Sequence, residues 1–306
     1  MKNYFVLALA LICALPMYAQ DAAPATTPAD TSYWTKGGVG TFTFSQVSLT
    51  NWAAGGENSI SLNGFLGLFA KYAKDRTTWE NRAAFGYGLI KQGEDDFSKS
   101  DDQINISTQY GYKLNKDKGN WYYSALLDFK TQFVEGVDAE GNRISNFMAP
   151  GYLVLATGIE YKVEEKFSLS IAPVTGKFTF VGDDDLAAVG AFGVDPGSNS
   201  RAELGSFLKL FYKDDIATNV NLETRLELFN NYLENFGYID VNWQNLLFMK
   251  VNKYLTVNFQ TQLIYDDDIN IQIDNNDDGI IDEEGPRVQF KSVFGVGLTY
   301  NFGAKE

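Results

Sequence analysis

The sequence contains no histidine and only one cysteine, Cys13, and both facts restrict the chemistry that is available. Histidine is the usual general base or base activator in hydrolases and acyltransferases, so these enzyme classes are disfavoured. A lone thiol cannot form a disulfide within the chain, and it leaves no Cys-based metal constellation. The sequence also has no Gly-rich phosphate-binding loop. We therefore expect no enzymatic activity.

Basic residues are also scarce. The 306 residues include 25 Lys and Arg against 39 Asp and Glu, which gives a formal net charge of −14. Phosphate contacts depend on Lys and Arg, so nucleic acid is not expected as a partner. Long hydrophobic runs are absent except near the start of the chain.

That run belongs to MKNYFVLALALICALPMYAQ, which has a cation at Lys2, an apolar stretch from Tyr4 to Leu15 and a small residue at Ala19. These are the three parts of a secretory signal, and the apolar stretch falls short of the roughly 20 residues that a spanning helix needs. We predict a signal peptide over residues 1–19 and export of the chain. Residues 20–35 are rich in Ala, Pro and Thr and predict a flexible tether.

Residues 36–306 show a repeated alternation of apolar and polar residues, which is typical of strands with two different faces. The stretch INISTQYGYKL, for example, places Ile104, Ile106 and Tyr110 on the face opposite Asn105 and Gln109. Most segments run ten or more residues, enough for the roughly 9–11 that a tilted membrane strand needs. Twelve such segments begin near Val39, Asn58, Thr78, Asp102, Trp121, Gly151, Phe167, Arg201, Thr218, Tyr238, Tyr254 and Val288.

The links between these segments alternate between short and long. Asp75 to Thr77 and Glu164 to Lys166 are short links, whereas Gly136 to Pro150 and Asp266 to Arg287 are long ones. Short turns at one end and long loops at the other are typical of outer-membrane barrels, with both termini at the periplasmic end. The sequence therefore predicts an all-β fold, a single antiparallel transmembrane β-barrel of about twelve strands in the cell outer membrane.

Aromatic and charged residues are sorted in the same way. Tyr72 and Trp79 lie near short links and Tyr87, Tyr152 and Tyr238 near long ones, which predicts two interfacial girdles. Lysines are concentrated in the short links and acids in the long loops. Outer-membrane lipid is accordingly the expected surrounding, and other envelope proteins are candidate partners.

If the apolar face meets lipid, the polar face lines the lumen. Acids and bases on that face are balanced, which favours an ion-paired interior over a wide selective pore. The long loop from Gly182 to Ser200, with its apolar LAAVGAFGV, either plugs the lumen or folds over its neighbours outside. The predicted lumen acids are Glu80, Asp128, Glu160, Glu203, Glu223, Glu227 and Asp240, and the predicted lumen bases are Arg82, Lys130, Lys162, Arg201, Lys209, Arg225 and Lys291.

The last long loop contains DNNDDGIIDEEG, which has the spacing of an oxygen-ligand calcium loop. Asp274, Asn276 and Asp278 take positions one, three and five, and Asp282 takes position nine. Gly285 replaces the usual bidentate Glu at position twelve. Weak calcium binding that orders the loop and a plain solvated acidic loop both remain open, and no other cofactor is expected.

The first long link contains TNWAAGGENS, in which a motif of the form N-W-x-x-G-G-x-N-S is formed by Asn51, Trp52, Gly55, Gly56, Asn58 and Ser59. This motif resembles the signature of an uncharacterised outer-membrane barrel family of the Bacteroidetes group, known as a domain of unknown function. The resemblance implies a barrel in the outer membrane and no established activity. From the residues alone, the two glycines suit a tight surface turn and Trp52 an interfacial anchor.

Three classes of function follow from these observations. The first is a structural or interaction barrel that presents acidic surface loops. The alternative is a channel or transporter for small solutes. A membrane-embedded enzyme ranks last, because paired carboxylates such as Glu223 and Glu227 suit an ion-paired barrel wall better than acid–base catalysis.

Overall fold

The computed structural model describes residues 32–48, 57–116, 119–138, 141–273 and 283–304. Residues 33–304, with the gaps just given, belong to one compact unit. Within these ranges no helix is long and apolar enough to cross a bilayer. The predicted signal peptide, and residues 20–31 of the predicted tether, lie outside the described residues.

Twelve long strands form the barrel. Two small hairpins and a short helical segment lie in the loops. The hairpins are β6 with β7 and β14 with β15, and the helical segment comprises α1 (Asp184–Ala188) and a 3-10 turn at Ala191–Gly193. In chain order the strands are β1 Trp34–Val47, β2 Ser59–Lys74, β3 Thr77–Gln92, β4 Ser98–Lys113, β5 Trp121–Thr131, β6 Gly136–Val137, β7 Arg143–Ser145, β8 Gly151–Val163, β9 Phe167–Phe180, β10 Ser200–Ala217, β11 Val220–Asn231, β12 Ile239–Lys250, β13 Leu255–Tyr265, β14 Asn270–Ile273, β15 Glu283–Pro286 and β16 Gln289–Gly303.

The twelve long strands close into a single antiparallel barrel in the order β1-β16-β13-β12-β11-β10-β9-β8-β5-β4-β3-β2. Each barrel strand pairs with its neighbours along the chain, and β1 meets β16 to close the ring, from Gly37 opposite Gly303 to Thr43 opposite Gly297. This confirms the predicted all-β fold of about twelve strands. Closure removes the unpaired edges that an open sheet would expose.

Most strands begin within two residues of the predicted starts, but β1 and β4 begin earlier. β1 starts at Trp34, inside the stretch assigned to the tether, because Trp34 pairs with Tyr72 and packs on its ring at 5.3 Å. β4 starts at Ser98 where Asp102 was predicted, so the loop after β3 is shorter than expected. In both cases the alternation weakens at the strand end while backbone pairing continues.

The connections are sorted as predicted. The links 75–76, 164–166 and 218–219 are short turns at one end, where β1 begins and β16 ends. The links 132–150 and 181–199 are long loops at the other end. The barrel therefore has a short-turn end and a long-loop end.

The outer face is apolar along most of the barrel wall. On β16, Phe294 and Leu298 are 68% and 60% exposed, while Gly295 and Gly297 between them are buried inside the barrel. Alternation of this kind gives each strand an apolar outer face and a separate inner face.

A β-bulge in β9 reverses this alternation. On β10, Gly205 pairs with Thr175 and Phe207 pairs with Ala172, so β9 has one more residue than β10 across this step. The bulge lies at Pro173 and Val174, where two residues of β9 oppose one residue of β10. Inward-facing positions are therefore even-numbered before the bulge and odd-numbered after it, and a strict period of two cannot predict this change.

Tyr152 lies inside the barrel, which corrects its placement in a girdle. Its side chain lies on the same face of β8 as the inward residues Val154, Ala156 and Glu160, and Tyr152 pairs with Lys130 of β5. An aromatic residue near a strand end does not by itself reveal which face it occupies.

Gly158 provides a test of the bulge. A Cβ at this position would lie 2.0 Å from the Ile171 carbonyl oxygen and 2.6 Å from the Ala172 Cα, both on the β9 backbone. We expect Gly158→Ala to lower the free energy of unfolding by about 1–3 kcal/mol, because backbone must move. Urea unfolding in detergent measures this.

The matched control is Gly40→Ala, since a Cβ on Gly40 would meet nothing within 4 Å. It should change stability by no more than about 0.5 kcal/mol. Equal effects of the two substitutions would contradict the close approach at the bulge.

Candidate functional site

The lumen contains ion pairs that join strands which are not neighbours. At mid-height, Lys130 of β5 lies 2.5 Å from Glu227 of β11, although β8, β9 and β10 separate these strands in the barrel. Lys209 of β10 lies 3.7 Å from Asp128 and 3.6 Å from Glu227, and Lys130 lies 3.5 Å from Asp128. Two acids and two bases therefore neutralise one another in this central layer.

A second layer lies toward the short-turn end. Lys162 of β8 lies 2.7 Å from Glu80 of β3 and 3.1 Å from Glu160, with β4 and β5 between the two strands. Glu160 is 1% exposed, and Arg82 lies 3.5 Å from Glu80. A buried carboxylate needs such a partner, because removal from water strongly disfavours an isolated charge.

The same layer continues on β10 and β11. Glu223 lies 2.6 Å from Arg225 and 3.5 Å from Lys213. The guanidinium groups of Arg82 and Arg225 lie 5.6 Å and 5.4 Å from the centre of the Phe211 ring. Both guanidinium groups therefore contact the same ring, and cation–π attraction stabilises each positive charge there.

The third layer lies at the long-loop end and centres on Lys177 of β9. Its ammonium group lies 2.6 Å from Asp240, 3.2 Å from Asp266 and 3.6 Å from Glu203. Sequence reasoning did not place Lys177 or Asp266 in the lumen. Lys177 follows the β9 bulge, which turns it inward, and Asp266 follows the last residue of β13.

Arg201 completes this layer at the rim. Its guanidinium lies 2.6 Å from Glu234 and 2.9 Å from Asp268, and 3.7 Å from Glu203. The remaining predicted lumen base, Lys291, pairs with Asp101 at 2.6 Å in a more exposed position. The predicted lumen charges thus occur in ion pairs within three layers and at the rim.

Apolar side chains also fill part of the lumen. Phe207 and Phe229 point inward and are buried against Leu126, Ala156 and Ala172. Sequence reasoning missed this cluster, because the inward set was treated as polar. The available signal was two bulky rings on the same face as Lys209 and Glu227.

A different sector of the lumen is more open. Phe65 of β2 shares the inward alternation of Asn63, Gly67 and Phe69, yet it is 39% exposed. On the next two strands, Thr41 of β1 and Thr299 of β16 are hydrogen-bonded through their hydroxyl groups at 3.2 Å. This sector, formed by β16, β1 and β2, is lined mainly by uncharged side chains, unlike the ion-paired sector formed by β3 and by β5 to β12.

The loop between β9 and β10 packs on the loop between β5 and β8. Asp183 accepts hydrogen bonds from the Arg143 guanidinium at 2.9 Å and from the Asn146 side chain at 3.0 Å. The Gly182 amide donates to the Met148 carbonyl at 2.7 Å. We call loops 132–150 and 181–199 together the loop cap. Beneath these contacts is a buried cluster that consists of Ala149, Val181, Leu186, Ala187 and Val194.

The two sequence alternatives for this loop were a lumen plug and a loop folded over its neighbours. The contacts described run to the adjacent loop and to the rim, where the Gly193 carbonyl accepts from Arg201 at 3.2 Å. The apolar part is therefore largely used for packing between two loops.

The predicted calcium ligands Asp274, Asn276, Asp278 and Asp282 lie outside the described residues, and calcium binding stays a prediction. The described strands β14 and β15, on either side of this segment in the sequence, pair antiparallel. No group of three or more potential metal ligands occurs among the described residues.

The N-W-x-x-G-G-x-N-S motif is described only at its end. Asn51, Trp52, Gly55 and Gly56 lie outside the described residues, whereas the Asn58 carbonyl accepts from Gly93 at 2.8 Å and Ser59 begins β2.

The fold and the lumen define this chain as a closed twelve-strand β-barrel with an ion-paired interior. A family model described as "Protein of unknown function (DUF3078)" matches residues 44–137, a range that includes the N-W-x-x-G-G-x-N-S motif. No curated protein sequence matches the chain.

Several solved structures are similar in fold. The COG4313 outer membrane channel from Pseudomonas putida F1 is 15% identical with a TM-score of 0.39, over 92% of this chain and 100% of that chain. The NanC porin is 7% identical with a TM-score of 0.36, over 86% and 98%. The translocator domain of the autotransporter NalP from Neisseria meningitidis is 8% identical with a TM-score of 0.31, over 88% of each chain.

The contact between Lys130 and Glu227 can be tested by a double-mutant cycle. Their side chains are 29% and 13% exposed. We expect Lys130→Met to destabilise the barrel by about 1–3 kcal/mol, because Glu227 loses its nearest cation and keeps the more distant Lys209. The loss should be smaller than for a fully buried pair, because both side chains are partly exposed. Adding Glu227→Met should recover part of this loss, and urea unfolding measures each step.

A surface pair of similar length serves as the control. Arg287 and Glu283 lie 2.6 Å apart but are 44% and 56% exposed. Arg287→Met should cost less than about 1 kcal/mol. An effect on the lumen pair no larger than on this pair would contradict a stabilising role for the central layer.

The loop cap should depend on pH. The hydrogen bond from Asn146, together with the Leu186 amide and the Arg143 guanidinium, holds the pKa of the Asp183 carboxyl below its usual range. A lowered carboxyl pKa stabilises the folded cap above the usual range, and this contribution is lost as the pH falls through the folded-state pKa. The protection factor of residues 181–199, which is the intrinsic hydrogen-exchange rate at each pH divided by the observed rate, should therefore fall at acidic pH.

In Asp183→Asn the same segment should exchange faster at neutral pH and show a smaller pH response. Asp185→Asn is the control, since Asp185 lies 3.7 Å from Arg143 and is mostly exposed. A cap with the same exchange in wild type and Asp183→Asn would refute the role of this carboxylate.

Proposed function

We propose that this chain is an outer-membrane β-barrel that acts as a structural or interaction platform, with a lumen closed by ion pairs and a loop cap displayed at the cell surface. The observation that carries this proposal is the set of ion pairs between strands that are not neighbours. Lys130–Glu227, Lys162–Glu80 and Lys177–Asp240 each join strands separated by at least two others. Such pairs place side chains across the interior, where an open pore would need water.

Membrane insertion is supported by three features of the chain. The barrel strands run from 11 to 18 residues, which is sufficient to cross a hydrocarbon layer when tilted. Their outer face is largely apolar, and closure pairs the backbone of β1 with that of β16. In hydrocarbon, backbone groups must be paired within the protein, which a closed barrel achieves.

The loop cap supports the interaction role. Asp183 joins two loops above the rim, and Asp184 and Asp185 follow it in the first turn of α1. A cap fixed by a buried apolar cluster and an ion pair presents its remaining acidic groups in a defined arrangement. Cationic or metal-bridged partners suit such a surface by charge.

A small-solute channel is the second candidate, and the exposure of Phe65 favours it. An inward-facing ring that is 39% exposed requires space beside it in the lumen. The β16, β1 and β2 sector would form the path, with hydroxyl and amide groups suited to small uncharged solutes. No catalytic role is proposed.

Planar-bilayer recording of the purified protein distinguishes these functions. The platform predicts no unitary current steps at protein loads where a general porin gives many. Lys130→Ala combined with Glu227→Ala should then produce openings, because the central layer is removed. Its control is Arg287→Ala with Glu283→Ala, outside the barrel wall, which should stay silent.

Stable, salt-dependent openings of the wild-type protein would instead favour the channel. Phe65→Trp then reports the route, since a larger ring at that point should reduce the unitary conductance. Wild-type openings unchanged by this substitution would place the path elsewhere.

A further inference from the structure

Aromatic rings are stacked where β1 enters the barrel at the short-turn end. The Trp34 ring lies 5.3 Å from Tyr72 and 5.7 Å from Trp79, and Tyr33 lies 6.1 Å from Tyr72. Tyr33 and Trp79 are exposed on the outer face. We call Tyr33, Trp34, Tyr72 and Trp79 the seam aromatics, because β1 is the strand at which the barrel closes.

Two lysines lie over these rings. The Lys36 ammonium is 5.7 Å from the centre of the Trp34 ring, and the Lys74 ammonium is 4.5 Å from the centre of the Tyr33 ring. Cation–π attraction holds each charge at the edge of the cluster. The described residues provide no carboxylate in ion-pair contact with either lysine.

Lys36 occupies an unusual position for a charge. It alternates with the inward-facing Gly37, whose Cβ would meet the Phe69 ring in the lumen, so Lys36 lies on the outer face. It also lies two residues farther along β1 than Trp34, in the direction of the bilayer. Its ammonium nevertheless reaches back over the Trp34 ring, which is the behaviour of a lysine that extends toward the headgroup region.

Arg76 adds a third cation on the neighbouring hairpin. Its guanidinium lies 4.5 Å from the centre of the Tyr112 ring and donates to the carbonyls of Lys113 and Leu114 at 2.8 Å and 2.6 Å. Arg76 therefore fixes the β2–β3 turn beside the seam aromatics. The partners described for its guanidinium are neutral carbonyl oxygens, which leave its positive charge uncompensated.

We propose that Lys36 and Lys74, with the seam aromatics, form a binding site for the headgroup of an anionic phospholipid in the inner leaflet of the outer membrane. A lipid is the partner that fits, because the cations border the apolar outer face and aromatic rings at this depth contact glycerol and upper acyl groups. A phosphatidylglycerol headgroup supplies a negative charge, and the described part of the chain places none in ion-pair contact with either ammonium group. The site rests on the outer-membrane location proposed above.

Native mass spectrometry of protein extracted from liposomes tests this site. The liposomes contain equal parts of phosphatidylethanolamine and phosphatidylglycerol. We expect wild-type protein to retain phosphatidylglycerol in excess over the bulk ratio. Lys36→Gln with Lys74→Gln should bring retention to the bulk ratio, whereas Lys36→Arg should preserve the excess.

The control is Lys250→Gln with Lys253→Gln at the β12–β13 turn, where Lys253 lies 5.3 Å from the centre of a single ring, that of Tyr254. This variant keeps the seam and should keep the excess. No wild-type excess, or an equal loss in the control, would overturn the site.

Heat-modifiable migration in gels shows that each variant is folded. A wild-type protein that does not insert into liposomes would overturn the membrane location itself. Insertion without a preference for phosphatidylglycerol would overturn only the lipid site.

Discussion

Backbone pairing between β1 and β16 is the constraint on which the rest of the structure depends. When Gly37 meets Gly303 and Thr43 meets Gly297, the sheet loses its edges and acquires an interior. Closure also fixes which residues share that interior. Only in a ring can Lys130 of β5 reach Glu227 of β11, because their strands are separated along the wall.

The closed wall creates two different environments from one alternating sequence. Outside, apolar side chains such as Phe294 and Leu298 need no partner in a lipid surrounding. Inside, charged groups leave bulk water and require opposite charges, as Glu160 does beside Lys162. The ion-paired layers, the buried Phe207 cluster and the more open sector near Phe65 are three ways of filling that interior.

The two ends of the barrel differ for a related reason. At the long-loop end, loops are long enough to make a small core of their own, and Asp183 joins two of them into the loop cap. At the short-turn end, tight turns leave no such freedom. The contacts described at that end are therefore made mainly by side chains on the strands, as where Lys36 and Lys74 lie over the seam aromatics.

Alternation and link lengths in the sequence determined the fold, because each barrel strand carries its own two-sided pattern and pairs with its neighbours along the chain. The same pattern predicts which charged residues face inward, such as Glu80 and Lys162. Which acids and bases meet across the lumen, as Lys130 and Glu227 do, was decided only by the tertiary structure, since these partners come from strands far apart in sequence. The same holds for Lys177, which the bulge at Pro173 and Val174 turns inward, and for Tyr152, whose face depends on its register with β5. A single extra residue in β9 reverses the faces of all later side chains of that strand. The bulge is defined by the pairing of β9 with β8 and β10, and the composition of the chain does not specify that pairing.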